Sequence, residues 1–140
     1  MKTQKGLKYC DTRKNVVCEE KGKKYHGENP SRKRVAKYWI DGFWRTTGRK
    51  PDYGIFLTDE KVIYLIELKG KSLDEAAEQI RQTVTEFEKD FEGKRVNGRA
   101  VLSRVPPVKV ASSRVLDVKK VLKRFGGDFQ YKAKYYKETL

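Results

Sequence analysis

The stretch PDYGIFLTDEKVIYLIELK, residues 51–69, decides how the rest of the chain is read. Residues 53–57 and 61–69 are rich in β-branched and aromatic side chains and are separated by the polar Thr58, Asp59 and Glu60, the pattern of an antiparallel hairpin. The second segment is apolar on both faces. Val62, Tyr64, Ile66 and Leu68 fall on one side and Ile63 and Leu65 on the other, as in a central strand covered above and below. Its charged end, Glu67 and Lys69, needs a reason, because burying a carboxylate or an ammonium group is costly unless it is paired or binds something. Strand side chains alternate, so these two share a face, about 7 Å apart along the strand.

The hairpin register supplies a third member. If a two-residue loop at Asp59 and Glu60 sets Thr58 against Lys61, Asp52 falls opposite Glu67, and a four-residue loop gives the same pairing; an odd-length loop or a bulge would break it. Opposed side chains have Cβ atoms about 4.5–5.5 Å apart. Two carboxylates that close repel each other, and a bound divalent cation is the simplest reason for both to stay ionised. Magnesium, or manganese, suits the donors, since it accepts one or two carboxylates together with waters and phosphate oxygens. Lys69 would then stabilise charge that develops on an attacked phosphate. The bland alternative is a buried Glu67–Lys69 ion pair with Asp52 as a turn acid, but isolated buried pairs rarely add stability.

Working outward, Ser72 and Glu75 form a capping-box pattern for a helix carrying Leu73, Ala76, Ala77, Ile80, Val84, Phe87 and Phe91 on one face and ending at Gly93. Residues 99–105 read as a strand halted by Pro106 and Pro107. Residues 114–125 read as a shorter helix capped by Ser113 and stopped by Gly126 and Gly127. Phe129, Tyr131, Ala133 and Tyr135 alternate as a last strand. On the other side, residues 35–40 form a strand that ends at the turn dipeptide Asp41-Gly42. Residues 1–34 are polar, basic and interrupted by Asn29-Pro30, and read as an irregular arm with a short strand at 15–19. The order is a three-strand meander, a long helix, a strand, a shorter helix and a final strand. It predicts a single α/β domain, residues 1–140, whose mixed sheet has helices packed on its faces.

Thirty-three Lys and Arg against nineteen Asp and Glu leave a net charge of +14, an excess that attracts polyanions and makes nucleic acid the leading partner. No apolar run approaches the roughly 18 residues of a membrane span, and the first residues lack the apolar segment of a secretory signal. A cytoplasmic protein with no membrane partner is expected. Cys10 and Cys18 read as free thiols, and their eight-residue spacing to each other and to His26 argues against zinc, which favours a close cysteine pair. Arg32, Lys33, Arg34, Arg45, Arg49 and Lys50, interleaved with Trp39, Phe43 and Trp44, are the candidate phosphate-contacting surface. Lys119, Lys120, Lys123 and Arg124 read as the solvated face of the shorter helix.

With Pro51-Asp52-Tyr53-Gly54 followed by Glu67-Leu68-Lys69 at the end of the next strand, the sequence resembles the PD-(D/E)xK nuclease superfamily over about residues 35–91. The resemblance implies a restriction-endonuclease-like fold, magnesium held by Asp52, Glu67 and the main-chain carbonyl of Leu68, and Lys69 as the catalytic lysine. Gln79-Ile80 is similar to the glutamine-hydrophobic pattern on the family's following helix, which makes Gln79 a further candidate. Family members frequently add an acid from an N-terminal helix; no such helix is visible, and Glu28, Asp41 and Glu20 are the substitutes considered. The function expected is a metal-dependent nuclease acting on DNA, like the superfamily's small structure-selective or defence-related enzymes. A homodimer would suit a nuclease that cuts two strands, although no interface pattern is visible. A non-catalytic nucleic-acid-binding protein on the same fold is the alternative, and a protein-interaction subunit, with neither magnesium binding nor salt-sensitive DNA affinity, is a third.

Overall fold

The computed structural model describes residues 6–40, 51–68, 72–104 and 112–140. In chain order the elements are β1 (Leu7–Asp11), β2 (Asn15–Glu20), β3 (Lys23–Glu28), β4 (Val35–Trp39), β5 (Tyr53–Leu57), β6 (Val62–Glu67), α1 (Leu73–Glu86), α2 (Glu88–Phe91), β7 (Arg95–Leu102), α3 (Ser113–Arg124), β8 (Phe129–Ala133) and β9 (Tyr135–Thr139). The expected meander is β4–β5–β6, antiparallel throughout. α1 carries the chain across to β7, which pairs parallel to β6, and α3 returns it to β8, parallel to β7. With β1 added beside β4, the main sheet has six strands in the order β1-β4-β5-β6-β7-β8.

Period-two alternation sorts this sheet into two faces. One face sends Ala36, Tyr38, Phe56, Ile63, Leu65, Val96 and Ala100 into a core completed by Ala76, Ala77, Ile80 and Val84 of α1 and Val115, Val118 and Leu122 of α3. Gly98 lets the helices close down on β7: a Cβ there would stand 3.0 Å from Ile80, 3.1 Å from Leu122 and 3.2 Å from Phe129. Ser72 caps α1, its side chain accepting from the Glu75 N–H at 3.1 Å. α3 is capped by Ser112, one residue earlier than the sequence suggests.

The opposite face departs from expectation. It is covered by a second sheet, β2-β3-β9, in place of helices. Val35, Ile55, Leu57, Tyr64, Ile66 and Val101 meet Val16, Cys18, Tyr25 and Tyr136 in a separate core. The segment read as an irregular arm therefore holds three strands, one at the edge of the main sheet and two in the second. The final strand is two: Lys134, at φ 61, turns the chain from β8 in one sheet to β9 in the other. The strand expected at 99–105 starts at Arg95, four residues sooner, and the long helix breaks at Phe87 before the single turn of α2.

Candidate active site

β5 and β6 pair without a bulge from Leu57↔Val62 to Tyr53↔Ile66, around the four-residue turn of Thr58, Asp59, Glu60 and Lys61. The ladder ends at Tyr53↔Ile66; extended by one step it would set Asp52 opposite Glu67, the pairing expected from the sequence. Both are almost wholly enclosed, Asp52 at 1% and Glu67 at 2% exposure. Asp52 is held at both ends: its carbonyl accepts from the Ile40 N–H at 2.9 Å, and its Oδ2 accepts from the Leu68 N–H at 2.6 Å. The carboxylate thus ties the end of β5 to the residue that leaves β6, where the ladder itself has stopped.

Ile63 and Leu65 point into the helix-side core, so alternation turns Glu67 to the same side. From the helix layer, Gln79 lies in the buried stripe of α1 at 5% exposure, and its Oε1 has no hydrogen-bond donor among the described residues. Ala100, beside Glu67 on β7, is small and buried. Lys69 lies outside the described residues, as do Asp41, Arg45, Arg49 and Lys50. Two buried carboxylates at adjoining strand ends are a hard oxygen donor pair that fits magnesium or manganese. Among the described residues no group of three or more His, Cys, Asp or Glu gathers to hold a metal.

At the same end of the sheet, on its other face, the Tyr53 hydroxyl donates to Glu20 Oε1 at 3.2 Å, and the Lys37 ammonium lies 4.9 Å from the Tyr53 ring centroid. Burial, reinforced by the negative charge of Glu20, pushes the Tyr53 hydroxyl pKa up, so it remains a donor. Of the considered extra acids, Glu20 therefore lies at the Asp52 end. Glu28 does not: it ends the central strand β3 at the opposite end of the second sheet, 3.6 Å from Lys137. Arg32, Lys33 and Arg34 precede β4, where the Arg34 carbonyl accepts from Thr58, so they are beside the hairpin turn. The length of β4, five residues or about 17 Å, separates them from the carboxylates. Their placement follows from strand direction, since residues adjacent to a strand's start cannot flank its finish.

Cys18 is enclosed at 0% exposure, and burial, opposed by Lys37 and reinforced by Asp52, pushes its thiol up to about 12. Cys10 is exposed on β1, while the His26 ring contacts the Tyr135 hydroxyl at 3.0 Å and Asn15 Oδ1 at 2.8 Å.

Among the described residues, Arg99 is a buried charge that the sequence reading missed. Arg99, at 5% exposure on β7, bridges the sheets: its Nε donates to Glu138 Oε2 and its Nη1 to Asp128 Oδ1, both at 2.8 Å. Tyr25 donates to the same Glu138 oxygen at 2.6 Å. Burial alone would lower the guanidinium pKa, but the two carboxylates overcome it and raise it. The signal was weak, because Asn97 and Gly98 precede Arg99 and it reads as the polar start of the apolar run Ala100-Val101-Leu102.

Comparison of the chain with protein-family models, curated proteins and solved structures finds no match.

Proposed function

We propose that this protein is a divalent-metal-dependent nuclease that hydrolyses phosphodiester bonds in DNA, built on a restriction-endonuclease-like core. The observation that carries the reading is the enclosure of two carboxylates, Asp52 and Glu67, one directly before β5 and one at the end of β6, its antiparallel partner. Two carboxylates enclosed at adjoining strand ends supply, with water, the usual magnesium donor set. The β4–β5–β6 meander, crossover helix and parallel β7 support the fold reading. The +14 charge supports a polyanionic substrate.

In this reading Asp52, Glu67 and the Leu68 carbonyl hold the metal, which when bound supplies Lewis-acid activation at the scissile phosphate. Lys69 stabilises the developing charge, and Gln79 orients the lysine or the DNA backbone through an amide whose oxygen has no donor among the described residues. The chain leaves and rejoins the described fold at this same end, between Ile40 and Pro51 and between Leu68 and Ser72. The intervening sequence contributes Arg45, Arg49, Lys50 and Lys69. These cations are the proposed DNA contacts.

A second reading, a non-catalytic nucleic-acid-binding protein, is favoured by one observation: Asp52 Oδ2 is already engaged by Leu68, as a purely structural acid would be. Incubation with labelled duplex, single-stranded and branched DNA and with RNA, with magnesium, manganese or chelator, separates the two. Metal-dependent cleavage that disappears in Glu67→Ala and Lys69→Ala supports the nuclease. Cleavage surviving in both variants removes the assigned site, and salt-sensitive binding without cleavage under any condition establishes the second reading.

A further inference from the structure

Away from the carboxylate pair, α3 and the edge strand β8 enclose a groove of about 700 Å³. Lys119 and Lys123, both exposed, form one wall; Phe129 and Tyr131 form the floor. The lysines are one helical turn apart, about 6 Å along the axis. Val115, Val118 and Leu122 bury the adjoining stripe of the helix against the sheet, so Lys119 and Lys123 flank the buried face on the side where the groove opens. Lys123 also belongs to the last turn, where a cation complements the helix dipole, but Lys119 sits a turn earlier and gains nothing from that effect.

We propose that this groove binds a single-stranded nucleic-acid segment, with Lys119 and Lys123 on its phosphates and the half-buried Tyr131 ring as a stacking surface for a base. A positive wall beside an aromatic floor is an arrangement that holds single strands without reading sequence. The carboxylate at the groove's end, Asp128, is turned to Arg99 at 2.8 Å, which offsets its repulsion of a phosphate. An acidic peptide added to the edge of β8 is less well served. The strand is five residues long and the chain turns away at Lys134, leaving Phe129, Tyr131 and Ala133 as its outward-bonding residues. A second copy would set lysines against lysines. The proposal goes beyond the nuclease reading and does not depend on it, since binding here needs neither metal nor hydrolysis.

The test is fluorescence-anisotropy titration of the full chain with a labelled single-stranded oligonucleotide in chelator, over a range of salt, beside a labelled poly-glutamate peptide. Lys119→Ala/Lys123→Ala removes two phosphate contacts and should reduce the slope of log affinity against log salt by about 1.4. Tyr131→Leu should weaken binding about fivefold or more with the slope unchanged. Lys14→Ala/Lys89→Ala, an equal charge loss at two exposed sites elsewhere, should leave Tyr131-dependent binding intact and the slope near wild type. Thermal melts establish that each variant folds. Wild-type affinity and slope in the Lys119/Lys123 variant overturn the proposal, as does an equal loss in the Lys14/Lys89 control. Loss of peptide binding alone overturns it in favour of an acidic protein partner. Glu67→Ala, inactive if the nuclease reading holds, should bind in this groove as the wild type does.

Discussion

The Asp52 carboxylate accepts the backbone N–H of Leu68 at 2.6 Å, so the acid proposed to hold a metal also stitches the mouth of the hairpin shut. The two roles separate by substitution. Asp52→Asn keeps an acceptor for Leu68 and removes the charge; Asp52→Ala leaves a buried N–H without its partner, at a cost of about 1–3 kcal/mol. Urea unfolding in chelator should find Asp52→Ala weaker than Asp52→Asn by that amount. Neither should cleave DNA. Millimolar magnesium or manganese should raise the wild-type melting temperature and leave that of Asp52→Asn unchanged, because only a state that binds the ion is stabilised by it. Equal metal stabilisation of the two proteins would remove Asp52 from the ligand set.

Arg99 is one of the charges that join the two sheets. Its removal in Arg99→Met leaves Glu138 and Asp128 without their guanidinium partner, and breaking the largely enclosed Arg99–Glu138 pair should cost about 3 kcal/mol in chemical denaturation. Glu138→Gln should cost less, since an amide oxygen can still accept from Arg99 and Tyr25. The pH dependence has a definite sign. Burial would raise the Asp128 pKa, but hydrogen bonds from Arg99 and Gln130 hold it below the usual carboxylate value. Its contribution is therefore complete above the unfolded value, about pH 4, and is lost as pH falls through the lower folded value. Because the Asp128 side chain is 48% exposed, the effect should be small and salt-sensitive. In Arg99→Met the acid limb of the stability–pH curve should flatten.

The hairpin was legible because residues 62–68 are apolar on both faces, and the placing of both carboxylates at its open end because a two- or four-residue turn gives the same register. The second sheet was not. β2, β3 and β9 are short and rich in Lys and Glu, contributing only alternate side chains such as Val16, Cys18, Tyr25 and Tyr136 to the core. Moreover β3 pairs in parallel with a strand more than a hundred residues later in the chain, a contact that local periodicity cannot announce. The break at Lys134 was hidden for a related reason: a left-handed turn there is made without glycine. Within the candidate site, the sequence located Asp52 and Glu67 through strand geometry, whereas Arg32, Lys33 and Arg34 were grouped with them by nearness along the chain, which a strand converts into distance.

The cysteines should differ sharply toward a thiol reagent. Only a thiolate attacks, and Cys18 is both enclosed and pushed up to about 12 by burial, an effect that Lys37 opposes without overcoming. Cys10 is exposed. At pH 8 the native protein should react with one equivalent of Ellman's reagent quickly and with the second only after denaturant is added. Cys10→Ser should abolish the fast phase. A fast phase that persists in Cys10→Ser would mean that the second sheet opens readily from the first.

Gly127 supplies the most stringent test of how α3 hands the chain to β8. Its N–H donates to the Leu122 carbonyl at 2.9 Å, and a Cβ built on it would stand 1.7 Å from the Val96 carbonyl oxygen and 2.9 Å from Asn97 Oδ1. The first obstacle is the backbone of β7, which is paired to β6 and cannot swing aside as a side chain does. Asn97 is committed as well, accepting from the Asp128 N–H at 3.1 Å. Gly127→Ala should therefore displace the start of β8 and destabilise the protein by more than about 3 kcal/mol, beyond the ordinary cost of a surface substitution. Gly93→Ala is the comparison. There φ is +75 but nothing stands within 4 Å, so conformational strain alone should cost about 1 kcal/mol. If urea midpoints place the two variants together, the close approach of residue 127 to β7 is not a constraint on this fold.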